Sequence, residues 1–153
     1  MITDTRLYLD EVEDFIQQNP NIGAIESHLA EHALITICAA FELEIRDALT
    51  ARCAVTGDLG RDQFVSGSIQ RVVRSIGVSD LTGILGGFGE GYKTSYSSWM
   101  NDNPQAATAY NNIVTNRNAV AHGGQRQASW RDVYGWWDEA QHVVNEFRST
   151  LTA

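Results

Sequence analysis

Residues 33 to 41 read Ala33-Leu34-Ile35-Thr36-Ile37-Cys38-Ala39-Ala40-Phe41, an apolar run inside a proline-free stretch from about Ile22 to Val55. Apolar side chains recur along this stretch at the three-and-four spacing of a helix with one buried face. They are Leu34, Ile37, Cys38, Phe41, Ile45, Leu49 and Cys53. The sequence therefore predicts one long central helix against which the rest of the chain packs.

The segments on either side of the central helix are also predicted to be helical. No segment alternates convincingly at period two, and no repeat is found, so we expect an all-α bundle of about five or six helices in one domain, residues 1–153. The glycine-rich residues 83–91 belong to the fourth helix, which is expected to break or kink near Gly86–Gly91, because an interior glycine costs about 1 kcal/mol relative to alanine.

Capping residues and apolar spacing set the expected helix ends. The first helix is expected to end at Gln18, and the third, marked by Phe64 and Val72 among others, at Gly77. Further expected features are Ser79 as cap of the fourth helix, Asn103 and Pro104 opening the fifth, Gly123-Gly124 ending it, and a Ser129–Asp132 capping box opening a last helix that reaches Leu151.

Composition limits the kind of protein this is. The 153 residues, 43% hydrophobic and 20% charged, suit a globular fold. No apolar run reaches the roughly 20 residues that cross a bilayer, and the start lacks a secretion signal. Cys38 and Cys53 lie about 22 Å apart along one predicted helix, too far to pair. We therefore expect a cytoplasmic protein without a membrane partner.

Charge is distributed unevenly along the chain. The 11 basic and 19 acidic residues give a net charge of −8, which disfavours indiscriminate binding of nucleic acid. No acid occurs between Asn103 and Arg131, although this window holds the basic candidates Arg117, His122, Arg126 and Arg131. An anion would be tolerated there, although the Asn and Gln content also fits an ordinary polar surface.

Arg117 and His122 are the residues most suggestive of chemistry. Arg117 falls on the apolar stripe of the fifth predicted helix, and His122 lies where that helix should end, one turn after Asn118. Arginine offers phosphate a flat, permanent cation, and histidine exchanges protons near neutral pH. Both suit a cleavage of RNA in which the 2′-hydroxyl of the ribose attacks the neighbouring phosphate, a reaction that requires no metal. A structural arginine and a helix-end histidine explain the same spacing, so both interpretations stay open.

The string Asn116-Arg117-Asn118-Ala119-Val120-Ala121-His122-Gly123 resembles the signature of the HEPN superfamily, in particular its RiboL-PSP-HEPN and MAE-type groups. In such groups an Arg, a polar residue, a short spacer and a His end a late helix. A long early helix often carries an apolar run ending in Phe-Glu, which Phe41-Glu42 resembles. A terminal amphipathic helix follows the motif, as residues 129–151 do here.

This resemblance implies an HEPN-like bundle and a metal-independent endoribonuclease that dimerises so that both motifs line one cleft. Such endoribonucleases are frequently toxins or defence effectors. Arg117 would stabilise the phosphate, His122 would transfer protons and Asn118 would orient the site. Arg126 and Arg131 would guide the strand. No cofactor is implied, and an antitoxin or regulatory protein could cover the cleft. The alternative is a non-catalytic HEPN-type interaction module, in which Arg117 and His122 hold an interface.

A competing pattern is His28-Leu29-Ala30-Glu31-His32, which matches the His-x-x-Glu-His spacing of some zinc peptidases. Such a site needs a third protein ligand, and nothing downstream in the sequence indicates one. Two histidines on a helix surface are the more common explanation of so short a pattern.

Overall fold

The structure, a computed structural model, describes residues 2–54, 59–74, 76–124 and 127–152. Within these ranges the chain forms seven α-helices and no β-strand, which confirms the all-α prediction. None of these helices is long and apolar enough to cross a membrane. In chain order the helices are α1 Ile2–Gln18, α2 Gly23–Cys53, α3 Leu59–Val72, α4 Val78–Phe88, α5 Glu90–Asp102, α6 Pro104–Ala121 and α7 Trp130–Thr152.

The expected number of five or six helices is wrong because the predicted fourth helix is two helices. Gly89 separates α4 from α5, and its φ of +141° lies in a region that L side chains rarely adopt. A continuous helix cannot pass through that conformation. The glycine-rich segment therefore breaks the helix completely, and the described chain has seven helices.

Three predicted helix ends also differ from the structure. Gly77, not Ser79, is the N-cap of α4, because its main-chain nitrogen donates to Asp80 Oδ2 at 2.8 Å. The third helix ends at Val72 rather than Gly77, and Val72 is 54% exposed, so it does not belong to the buried face. The central helix ends at Cys53, and Val55 lies outside the described residues.

Helix α2 is the centre of the bundle and contacts α1, α3, α6 and α7. Phe41, in its middle, stacks on Tyr110 of α6 and on Trp137 of α7, with ring centroids 5.4 and 5.5 Å apart. All three rings are buried. The predicted buried face of α2 is therefore confirmed in its central part, whereas Cys53 at its end is only half-buried.

The ends of α6 and α7 follow the predicted capping residues. Asn103 is the N-cap of α6 and Pro104 lies in its first turn. Ser129 forms the predicted capping box: its main-chain nitrogen donates to Asp132 Oδ2 at 2.8 Å, and Asp132 N donates to Ser129 Oγ at 3.2 Å. The start of α7 therefore follows the end of α6 after a short connection.

Candidate functional site

Helix α6 ends in a Schellman motif, which fixes the position of His122. Gly123 N donates to Val120 O at 3.1 Å, and Gly124 N donates to Ala119 O at 2.8 Å. Gly123 has a φ of +71°, the left-handed conformation that this motif requires. His122 is the C-cap and is exposed to solvent. Its imidazole therefore lies where a substrate could reach it.

Asn118 lies between the other two predicted catalytic residues in the chain. Its Oδ1 accepts a hydrogen bond from Arg117 Nη1 at 3.3 Å, and its main-chain oxygen accepts one from His122 N at 3.1 Å. Arg117 and Asn118 are both half-buried. The structure thus places Arg117 and Asn118 in side-chain contact on the last turns of α6, with His122 at the C-cap of the same helix.

Arg117 faces the interior side of α6, towards α2. Burial raises the pKa of the Cys38 thiol to about 12, while the charge of Arg117 lowers it and that of Glu42 raises it. The charges of Arg117 and Glu42 therefore both act on this buried thiol. Glu42 in turn accepts a hydrogen bond from Arg46 Nη2 at 2.9 Å. The Cys38 thiol is thus influenced by a charged residue of its own helix, Glu42, and by the arginine on the apolar stripe of α6.

The role of Asn116 could not be predicted from the sequence. Its Oδ1 accepts hydrogen bonds from Gln127 N at 2.9 Å and Ala128 N at 3.1 Å, and its Nδ2 donates to Asn112 O at 2.9 Å. This one carboxamide therefore attaches the segment before α7, described at Gly124 and residues 127–129, to α6. The sequence offers two hints of this role: a polar residue next to Arg117, and a short connection between two helices whose main-chain N–H groups need acceptors.

A polar cleft of about 650 Å³ lies beside this end of α6, between the start of α2 and the segment before α7. Gly124, Gln127 and Ser129 line one wall, and Glu26 and Ser27 line the other. The volume is in the usual range for ligand sites, roughly 300 to 1,000 Å³.

The two arginines expected to bind substrate follow the motif in the chain. Arg131 is the second residue of α7 and is exposed. Its neighbour Trp130 lines the cleft. Arg131 therefore lies at the same end of the bundle as His122. Arg126 lies outside the described residues.

The two histidines of the zinc hypothesis have partners of other kinds. His28 Nδ1 lies 3.5 Å from Glu31 Oε2, and its side chain is 81% exposed. His32 Nδ1 shares a hydrogen bond of 2.7 Å with the Tyr8 hydroxyl. In the part of the chain that the structure describes, no three His, Cys, Asp or Glu side chains are grouped to hold a metal ion. The third ligand that the hypothesis needs is therefore not found there.

A helical bundle whose late helix ends in Arg-Asn-x-x-x-His has the features of a HEPN domain. The sequence profile of the family RiboL-PSP-HEPN matches residues 3–153, nearly the whole chain. The chain belongs to the RiboL-PSP-HEPN family, which confirms the resemblance found in the motif. Comparisons with curated proteins and with solved structures gave no match.

Proposed function

We propose that this protein is an endoribonuclease that cleaves RNA without a metal ion. The observation that carries the proposal is the end of α6, where the Arg117 guanidinium donates to the Asn118 side chain and the exposed His122 is the C-cap one turn later. HEPN domains are often endoribonucleases, so family membership supports the same activity.

In the proposed reaction the ribose 2′-oxygen attacks the neighbouring phosphorus, and the bond from phosphorus to the 5′-oxygen breaks. A base removes the proton from the 2′-hydroxyl, and an acid gives a proton to the departing 5′-oxygen. The products are a 2′,3′-cyclic phosphate and a 5′-hydroxyl. His122 transfers the protons, Arg117 stabilises the added negative charge on the phosphorane, and Asn118 orients the guanidinium.

A homodimer completes the proposed site. One chain offers a single Arg117 and a single His122, whereas the reaction needs a base and an acid at one phosphate. A two-fold axis beside the end of α6 would place two copies of His122 in one cleft, one as base and one as acid. The solvent exposure of His122 is compatible with that arrangement.

Arg126 and Arg131 are proposed to guide the RNA strand into this cleft. The net charge of −8 would limit binding to the local cationic region and suppress indiscriminate contacts. By analogy with the family, the protein acts as a toxin or defence effector and has an antitoxin or regulatory protein as partner. Its cysteines are free thiols, which suits the reducing cytoplasm.

A non-catalytic interaction module is the second candidate. Arg117 is half-buried and donates a hydrogen bond within its own chain, which a purely structural arginine would also do. In that case Arg117 and His122 would hold an interface. His122→Ala would then weaken the dimer, measured by sedimentation, and there would be no cleavage to lose.

The test of the proposal is incubation of the purified protein with a labelled structured RNA in excess EDTA. We expect fragments that end in a 2′,3′-cyclic phosphate and begin with a 5′-hydroxyl. Fragments that begin with a 5′-phosphate, or cleavage only after a divalent ion is added, would contradict the mechanism. The absence of cleavage across several RNAs would favour the interaction module.

A further inference from the structure

We propose that Asn116 is a positioning residue, which holds the segment before α7 in place so that the cleft beside His122 can receive a nucleotide of the RNA. This inference rests on the proposed function, since it assigns a binding subsite to the same reaction. It concerns a residue that lies next to Arg117 but bonds to a different part of the chain.

The hydrogen bonds of Asn116 are needed because of where their donors lie. Ala128 is only 3% exposed, so its main-chain N–H is largely removed from water and requires an acceptor. Asn116 Oδ1 supplies that acceptor and also binds Gln127 N. The bond from Asn116 Nδ2 to Asn112 O fixes the carboxamide itself on α6.

The segment before α7 is therefore attached to α6 at both of its described ends. Gly124, at the start, donates to Ala119 O through the Schellman motif, and Ala128, near the end, donates to Asn116. Gly124, Gln127 and Ala128 all line the cleft. Losing the Asn116 acceptor would therefore release one wall of the cleft while leaving His122 at the end of α6.

The chemistry of the walls indicates which part of a nucleotide enters. Glu26 and Glu31 line the wall formed by α2, and their carboxylates would repel a phosphate. Carboxylate, hydroxyl and carboxamide oxygens instead accept hydrogen bonds from base N–H groups and ribose hydroxyls. The cleft therefore suits a base or ribose, and the attached phosphate would lie outside it.

The test measures binding of a fluorescent 2′-O-methyl RNA oligonucleotide, which lacks the attacking hydroxyl, by fluorescence anisotropy. Asn116→Ala should weaken binding by about tenfold, because the freed wall must be ordered again when the RNA binds. Asn116→Asp keeps the accepting oxygen and should bind more tightly than Asn116→Ala. The control Asn112→Ala removes a carboxamide one turn earlier but keeps the main-chain acceptor, and should bind like the parent.

Hydrogen exchange provides the second measurement. The amides of Gln127 and Ala128 should be protected in the parent and in Asn116→Asp, and should lose protection in Asn116→Ala. Parent-like RNA affinity in a folded Asn116→Ala protein that has lost this protection would overturn the inference. A parent protein that binds no RNA would also overturn it. If Asn116→Ala does not fold, Asn116→Asp is compared with Asn112→Asp, which adds the same charge one turn earlier: parent-like amide protection combined with affinity more than about tenfold below Asn112→Asp would overturn the inference.

Cleavage of ordinary RNA is measured separately, so the two proposals can fail independently. Binding that depends on Asn116, without any cleavage, would remove the nuclease and leave the subsite. Cleavage that proceeds unchanged in Asn116→Ala, with unchanged affinity, would remove the subsite and leave the nuclease.

Discussion

Arg117 donates a hydrogen bond from Nη1 to Oδ1 of Asn118, its neighbour in the chain, at 3.3 Å. Adjacent residues on a helix point about 100° apart, so side chains at these positions do not normally face each other. The long arginine side chain must turn around the helix to make this bond. The Asn118 side chain therefore helps to orient the guanidinium, as the proposed role of Arg117 beside a phosphate requires.

The turn that ends α6 should be sensitive to a side chain at Gly123. Its φ is +71°, so Gly123→Ala should lower the free energy of unfolding by about 1 kcal/mol. Gly135→Ala is the matched control, because a Cβ there would meet nothing within 4 Å inside α7. That variant should instead stabilise the protein by up to about 1 kcal/mol. Urea denaturation measures both, and a neutral Gly123→Ala would contradict the assigned turn.

The aromatic stack at the centre of the bundle should dominate its stability. Phe41 is 1% exposed between Tyr110 and Trp137, so Phe41→Ala should cost about 3 to 5 kcal/mol. Phe64 is 75% exposed on α3, and Phe64→Ala should change the free energy of unfolding by less than about 0.5 kcal/mol. Equal effects of the two substitutions in chemical denaturation would mean that the core is assigned wrongly.

Asp10 should make stability depend on acid pH. Its carboxylate accepts hydrogen bonds from the Tyr134 hydroxyl at 2.8 Å and from Arg6, and these bonds, the first above all, hold the pKa of Asp10 below its usual value. Because the folded pKa is lowered, the stabilisation is complete above the unfolded pKa of about 4 and is lost as the pH falls below it.

Asp10→Asn should therefore reduce the free energy of unfolding at neutral pH, and the difference from the parent should shrink at about pH 3. The effect should stay below about 1 kcal/mol, since the Arg6 and Asp10 side chains are 37% and 44% exposed and solvent screens them. Asp14→Asn, an exposed change on the same helix, is the control. A difference that grows towards acid pH would show that the sign is wrong.

The sequence predicts those parts of the fold that local chemistry determines. Ser129 with Asp132, and Pro104 after Asn103, open helices where expected, because their side chains act on neighbouring main-chain groups. The sequence identifies the glycine-rich segment, but the free-energy cost of glycine in a helix does not show whether the helix kinks or ends there. The conformation of Gly89 decides that, and it depends on how α4 and α5 pack.

The sequence likewise predicts only part of the candidate site. Arg117, Asn118 and His122 could be identified because they lie within two turns of one helix. The bonds from Gln127 and Ala128 to Asn116, and the effect of the Arg117 charge on the Cys38 thiol, join segments distant in sequence. Spacing along one helix carries no information about such contacts, so only the structure reveals them.

The most direct test of the central claim compares RNA cleavage in excess EDTA by four proteins. These are the parent, Arg117→Ala, His122→Ala and the control His142→Ala, which removes an exposed histidine more than three turns along α7 from Trp130. The parent and His142→Ala should cleave equally, whereas Arg117→Ala and His122→Ala, still folded by circular dichroism, should each lose at least about 100-fold in rate. Cleavage by His122→Ala at the rate of the parent would contradict the account.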